Sequence, residues 1–463
     1  MARRHNSVVA DDAHLATLGH KQELTRHFSP LSMLGLAFAI LNSWTALSAS
    51  LSLALPSGGS TSVLWGLVTA GICNLCLAAS LAEFLSAYPT AGGQYHWVAV
   101  VSWPEWIPIL SWTCGWINCF GWIALTATAG LLGSQLIIGI IPMYNAAYEP
   151  QRWHQFLIYI GYNLVAFLVN AFGNKVIPLV NKTAIIWSIS GFVIISITVL
   201  ACASPDYSSA KFVFTGFLNE TGWPDGVAWL LGLLQGALGL TGFDACAHMI
   251  EEIPNPAVEG ISILTTSSRM NYAFARDKGL PFSRYFSRVH GSLNIPLNSL
   301  CATSLIVVIF GCIFLGSTSA FNAIVSASVV ALGITYAMPV AINCLRGRRM
   351  LPATRHFKLP EPFAWFANLL GIAFVIVTTV LFVFPPDLPV TGSSMNYCIV
   401  AFLIVLIISM IQWFVDGRKN YTGPKLDLND TVLTAAHTRE DAIFGGPEMA
   451  SQEGSDKKYG EDA

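Results

Sequence analysis

Apolar residues run along this chain in ten stretches of membrane-spanning length, about 20 residues each, separated by short polar segments. They lie near 31–55, 62–87, 107–141, 154–172, 183–203, 226–250, 297–316, 320–345, 364–384 and 396–415. Two of the ten are interrupted. Residues 226–256 read GVAWLLGLLQGALGLTGFDACAHMIEEIPNP, with Gly236, Gly239 and Gly242 loosening the centre and Asp244 directly after. Hydrocarbon holds no water for free backbone groups, so an unwound stretch survives there only where it lines a protein cavity. An ionisable side chain at that depth is costly and marks a functional site by default. The pattern points to a solute transporter.

The first run is interrupted in the same way. Residues 29–59 carry Asn42-Ser43-Trp44-Thr45 between apolar flanks, and serines recur at 48, 50 and 52. Hydroxyls can bond back onto their own helix, so an ordinary span with satisfied serines is one reading. The other is a discontinuous helix facing a midplane site. A first and a sixth span broken as a pair is the pattern of inverted-repeat transporters, whose half-helix termini point at substrate and coupling ion.

Composition agrees with a membrane domain. The chain has 463 residues, 54% hydrophobic and 11% charged, with a mean hydropathy of +0.58; soluble domains carry about a quarter charged residues. We expect one transmembrane domain over 28–417 between polar tails at 1–27 and 418–463. The first tail lacks the apolar core of a cleavable signal, so the first span is expected to direct insertion. The second, rich in Gly, Asp and Lys, is expected to be disordered. An even number of spans puts both tails on one side, and that side holds 22 of the 24 Lys and Arg residues. The positive-inside rule makes it the cytoplasm.

Little supports other chemistry. The ten cysteines are scattered singly, and Cys73 and Cys76 have no histidine or second pair beside them for zinc. There is no Gly-x-Ser-x-Gly elbow and no metal-type histidine pair in a span, so we expect no enzyme, cofactor or metal site. No nucleic-acid partner is expected either. Asn219-Glu220-Thr221 falls on the outer side and reads as a glycosylation acceptor.

Four segments carry a resemblance: SMLGLAFAILNSWTALSASLSLALPSGG at 32–59, SLAEFLSAYPTAGGQYHWVAV at 80–100, GFDACAHMIEEIPNP at 242–256 and SSRMNYAFARDKGLPFS at 267–283. In this order they resemble the fungal amino acid, GABA and choline permeases of the amino acid–polyamine–organocation superfamily, over nearly all of 28–420. The resemblance implies an all-α polytopic membrane protein with the broken-helix, five-plus-five inverted-repeat (LeuT-like) transporter fold. It also implies proton-driven uptake of an amino acid, GABA, choline or a polyamine. Members of that family normally have twelve spans. Here the broken span runs through Val258-Glu259-Gly260 straight into Ile261-Ser262-Ile263, where the family would place the whole seventh span and most of the eighth. Residues 251–296 then hold five basic residues and no spanning run.

The site is read residue by residue. Glu83 and Asp244 are the carboxylates inside spans, with Glu251 and Glu252 at a cytoplasmic edge. No Lys or Arg lies within a span, so a substrate carboxylate would have to meet backbone amides at a half-helix N-terminus. The candidate substrate-binding positions are Asn42, Ser43, Trp44, Thr45, Gly239, Gly242, Phe243 and Asp244. A substrate ammonium would be held by Asp244 or over Trp44 and Phe243, where a desolvated cation–π contact is worth about 2 kcal/mol. Glu83, Glu251 and Glu252 are candidates for coupling or gating. Asp244 could instead pin the helix break, Glu83 could simply reach the interface, and Glu251 and Glu252 could form a gate salt bridge. Trp116, Asn118 and Trp122 could line the cavity or only pack, and the Tyr88–Gly93 stretch reads as a turn without substrate contact. His248 reads as a packed histidine more readily than a proton relay.

Two function classes remain. One is a secondary transporter of small amines in the plasma membrane, with the vacuole or another internal membrane left open. The other is a non-transporting isoform, sensor or inactive paralogue, because two spans are missing.

Overall fold

In a computed structural model of the chain, the described residues are 40, 43–173, 177–249, 263–353, 355–392 and 395–424. In chain order they form α1 (Ser43–Ala54), α2 (Gly59–Ala87), α3 (Gln94–Val101), a 3₁₀ turn (Pro104–Trp106), α4 (Ile107–Tyr144), α5 (Arg152–Phe172), α6 (Ile177–Ala203), α7 (Ala210–Thr215), α8 (Asp225–Leu233), α9 (Gln235–Leu238) and α10 (Ala245–His248). Then come α11 (Ile263–Arg276), α12 (Ser283–Phe286), α13 (Leu297–Gly316), α14 (Thr318–Leu345), α15 (Glu361–Leu381), α16 (Cys398–Gln412), a π turn (Trp413–Gly417) and α17 (Arg418–Asn420). Among the described residues the only strand-like feature is an isolated bridge between Ser57 and Asn219.

Among the described residues eight helices are long and apolar enough to cross a membrane, and each overlaps one of the expected runs. The two expected runs without such a helix, 31–55 and 226–250, are the interrupted ones. The second is present as α8, α9 and α10, with residues 239–244 outside any helix. The first is described from α1 onward.

α4 is the central element, packing against α14, α3, α11, α5 and α13. At 38 residues it is about 57 Å long by the 1.5 Å helical rise, well beyond the about 30 Å of a hydrocarbon core. Its fully buried Trp122 lies with Tyr95, Trp97, Phe274 and Tyr336 in the main apolar cluster. By contrast α6 leaves Ile186, Trp187, Ile194 and Ile197 exposed. Side chains of that kind need hydrocarbon around them, and they mark a lipid-facing span. α8 and α9 lie on α2. A Cβ on Gly236 would come within 2.6 Å of the Gly66 carbonyl oxygen, so this glycine serves close helix approach rather than the loosening expected of it.

The stretch 251–296, expected to hold no spanning run, has none among the described residues, but it contains the 14-residue α11, whose residues 264–275 are all buried. Its polar side chains find specific partners. Ser299 Oγ donates to Ser268 O at 2.8 Å, Asn271 Nδ2 to Thr303 Oγ1 at 2.9 Å, and the Thr265 hydroxyl to Asn170. Arg269, counted above as a loop cation, is 1% exposed inside the bundle. The C-terminal tail also begins later than residue 418. Tyr421 is 2% exposed, its hydroxyl lies 2.7 Å from Ser111 Oγ, and its ring packs edge-on to Trp112 at 5.2 Å. Burial pushes the Tyr421 phenol well above its ordinary pKa, so it stays a neutral partner. Asn219 is tied inward: its amide nitrogen donates to Trp223 O at 2.7 Å and to Asp225 at 2.9 Å.

Candidate functional site

The site is built where the run 226–250 opens. Gly242 has φ +105°, a backbone conformation that a side chain would strain. Asp244 follows at 4% exposure. Gln94 Nε2 donates to its Oδ2 at 2.8 Å, Trp122 Nε1 at 3.3 Å, and His248 Nε2 lies 3.2 Å from the same oxygen. The Tyr336 hydroxyl donates to Oδ1. Three groups crowd Oδ2 and Tyr336 meets Oδ1, so the carboxylate is held by neutral donors and one imidazole, more heavily on one oxygen than on the other.

The partners come from separate parts of the chain. Gln94 opens α3, and its Oε1 accepts from Asn118 Nδ2 at 2.9 Å, which fixes the orientation of its amide. Asn118 and Trp122 sit one turn apart on α4, and Tyr336 comes from α14. His248 ends α10, with Nδ1 2.9 Å from the carbonyl oxygen of Ala91. The Tyr88–Gly93 turn thus seats His248. A Cβ on Gly93 would come within 2.8 Å of His248 Cε1, and Gly93 has φ +56°, so glycine is required on both counts. Gln94, His248 and Tyr336 were absent from the expected site. Gln94 and Tyr336 meet Asp244 through tertiary contact alone, 150 and 92 positions away, while His248 lies four residues after it on the same segment.

The other expected residues are placed as follows. Gly239 is buried at the start of the non-helical stretch. Phe243 packs against Tyr336 with ring centroids 4.8 Å apart. Trp44 is turned onto α6, donating from Nε1 to Ser188 Oγ at 2.9 Å and packing on Phe192 at 6.3 Å. Ser43 and Thr45 open α1. Asn42, Glu251 and Glu252 lie outside the described residues, as do the side chains of Ser43 and Thr45. Trp116 faces elsewhere, onto a cavity of about 540 Å³ between α4, α11, α13, α14 and α16. That cavity's lining has no acidic or basic side chain, so it is not where the charge chemistry lies.

Glu83 belongs to a different cluster. It is 1% exposed and accepts from Arg348 Nη2 and Arg355 Nη2 at 2.8 Å each, and from the Leu359 N–H at 3.1 Å. Arg348 also reaches Glu361 at 3.5 Å. The segment joining α14 to α15 is thereby clamped to the end of α2. Arg346 from the same segment donates to the carbonyls of Val101 and Ser102 at 3.2 and 3.0 Å, where a cation suits a helix C-terminus. Between the two clusters Tyr95 donates to Asp277 Oδ2 at 2.8 Å. Burial first, and the Asp277 charge second, hold the Tyr95 phenol well above its usual pKa. Burial likewise pushes Tyr88 up to about 12.

A helical bundle with membrane-length apolar spans, one of them opened around a buried acid, defines an integral membrane transporter scaffold. The sequence pattern of the family described as amino acid permease matches residues 31–264 and 257–408. The chain belongs to the amino acid permease family. It is similar to the choline transporter of Saccharomyces cerevisiae, 28% identical over 469 residues covering 86% of this chain and 83% of that protein. It is similar also to the amino-acid permease BAT1 of Arabidopsis thaliana, 27% identical with 89% and 95% covered. Amino-acid permease 2 of Neurospora crassa is 26% identical, with 90% of each chain covered. These relatives are transporters and permeases, in keeping with the expectation that the chain is not an enzyme.

The same comparisons bear on the number of spans. Since 86% of 463 residues is about 398, about 70 of the 469 positions aligned to the yeast protein face a gap in this chain. The two stretches matched by the family pattern meet at 257–264, where the sequence runs from the broken span straight toward α11.

Proposed function

We propose that the chain is a secondary active permease for an amino acid or an amino-acid-derived amine such as choline or GABA, driven by a proton gradient. The observation that carries the reading is Asp244, a buried carboxylate at a helix break, held by neutral donors and one imidazole. Such a site suits a cation or a zwitterion, because the neutral donors give a free anion no fixed positive charge. The scaffold is a broken-helix inverted repeat with α1 and the α8–α10 segment as its discontinuous members. Substrate lies against the open backbone at Gly239 to Asp244 and toward the first turn of α1, with Phe243 as an aromatic wall. The basic-residue distribution favours both termini in the cytoplasm, and the plasma membrane is the location we assign, with an internal membrane as the alternative.

Purified protein in proteoliposomes tests this. With the lumen alkaline and labelled choline, GABA or single amino acids outside, at least one probe is expected to accumulate and to leak away on adding a protonophore. No accumulation of any probe overturns the reading.

One observation favours a second reading. The about 70 aligned positions without a counterpart in this chain, summed along the alignment, would suffice for two spans with their connections, at about 20 residues per span. A chain lacking them would bind or signal without flux, as an isoform, a sensor or an inactive paralogue. Sequencing the transcript across the codons for Gly260 and Ile261 separates the cases. A longer message makes the full-length permease the working protein, and a short message alone makes the sensor reading lead.

A further inference from the structure

His248 is placed between two groups that want different things from it. Its Nδ1 faces the Ala91 carbonyl oxygen at 2.9 Å. A carbonyl only accepts, so Nδ1 carries a proton. The state of the ring then rests on Nε2, which lies 3.2 Å from Asp244 Oδ2 and 3.4 Å from Asn118 Nδ2. If Nε2 were bare, its lone pair would face a carboxylate oxygen in a site where the two side chains are 0% and 1% exposed. Unscreened repulsion of that kind is strong in a low-dielectric interior. One more proton, on Nε2, turns the contact into a charge-assisted hydrogen bond.

We propose that His248 and Asp244 together hold one exchangeable proton, carried on His248 Nε2 toward Asp244 Oδ2, and that this proton is the one coupled to substrate movement. The coupling half rests on the permease reading above. With the proton the pair is net neutral, an imidazolium against a carboxylate. When the proton leaves to water the pair carries one negative charge, a buried imbalance that favours reloading. The ring keeps a partner in both states without turning. Asp244 accepts from the protonated Nε2, and Asn118 Nδ2 donates to the bare one. Ala91 holds Nδ1 throughout, and Gly93 leaves the ring its space.

The titratable and charged groups on the surrounding elements are few. α14 brings Tyr336, which donates to Asp244 Oδ1 in either state. α3 brings Tyr95 and His96, the preceding turn Tyr88, and α4 Cys114 and Cys119. α11 brings Arg269 and Arg276, with Asp277 directly after it, and α10 itself carries Cys246.

The test is nitrogen NMR on the full chain labelled with ¹⁵N-histidine in lipid nanodiscs, with His248→Gln assigning the resonance. An imidazolium signature is expected for His248 at the acid end of about pH 5 to 8, converting to a neutral ring as pH rises. Asp244→Asn should remove the charged form from the neutral range. Asn118→Ala, which takes away the partner of the bare ring, should shift the conversion to higher pH. A ring that stays neutral throughout, or charged throughout, overturns the proposal.

Coupling is read separately in proteoliposomes with labelled choline, GABA or amino acids. His248→Gln should lose about tenfold or more of the gradient-driven accumulation, and clearly less of the counterflow exchange of whichever probe the wild type moves. Equal loss of both, in a protein that folds, overturns the coupling half. If the wild type moves no probe, the permease reading and the coupling half fall together, while the NMR titration still decides the proton site.

Discussion

Gln94 Nε2 donates to Asp244 Oδ2 at 2.8 Å, joining the first turn of α3 to the opened helix 150 positions later. Because Asn118 fixes the other end of the same amide, the carboxylate is gripped by an oriented donor. Gln94→Glu is predicted to set two acids against each other, so that one keeps its proton to higher pH. Uptake of labelled choline, GABA or amino acid, measured against external pH, should shift its profile upward. An unchanged profile would show that Gln94 does not touch the working acid.

The Glu83 cluster is predicted to be an anchor rather than a coupling site. Glu83→Gln leaves Arg348 and Arg355 buried against a neutral amide, which costs about 3–5 kcal/mol when a buried pair is broken. Thermal melting in detergent should report a clear loss of stability, with the pH profile of any remaining uptake unchanged. A shifted profile at unchanged stability would return Glu83 to a proton role.

Gly242 holds φ +105° beside Ile40 and Leu125. Gly242→Ala should destabilise the break by about 1–3 kcal/mol, the usual cost of a strained backbone position. Gly139, which a Cβ would leave in open space, is the control. Equal melting of the two alanine variants would contradict the strained turn.

Tyr421 fills a space between Trp112, Phe274 and Ser111. Truncation from residue 421 onward is predicted to melt earlier than truncation from 425 onward. The difference should approach the about 3–5 kcal/mol lost when a buried aromatic side chain is removed. Equal melting would mean that the ring contributes nothing.

The sequence made the long spans legible, since hydrocarbon demands an unbroken apolar run and little else. It also exposed the opening at 239–244, because Gly239, Gly242 and an acid fall together there, although Gly236 beside them serves close packing on Gly66. α11 stayed hidden because it is no such run. Thr265, Ser268, Arg269 and Asn271 keep the segment from reading as a spanning run, and the partners of Thr265, Ser268 and Asn271 are Asn170, Ser299 and Thr303, up to 95 positions away. Asp244 stood out as an acid, but of the groups that hold it only His248 follows a local spacing, and Gln94, Trp122 and Tyr336 come from α3, α4 and α14. Glu83 could be placed near a span end, while the arginines that neutralise it looked like ordinary loop charges. Trp44 shows the converse: an aromatic residue in a polar motif that packs on Ser188 and Phe192 of a neighbouring span.

The most direct test of the account is gradient-driven uptake by wild type and Asp244→Asn at matched surface expression, over a range of external pH. The account predicts accumulation of a small amine or amino acid by the wild type and its loss in the variant at every pH. Wild-type accumulation by Asp244→Asn would contradict it.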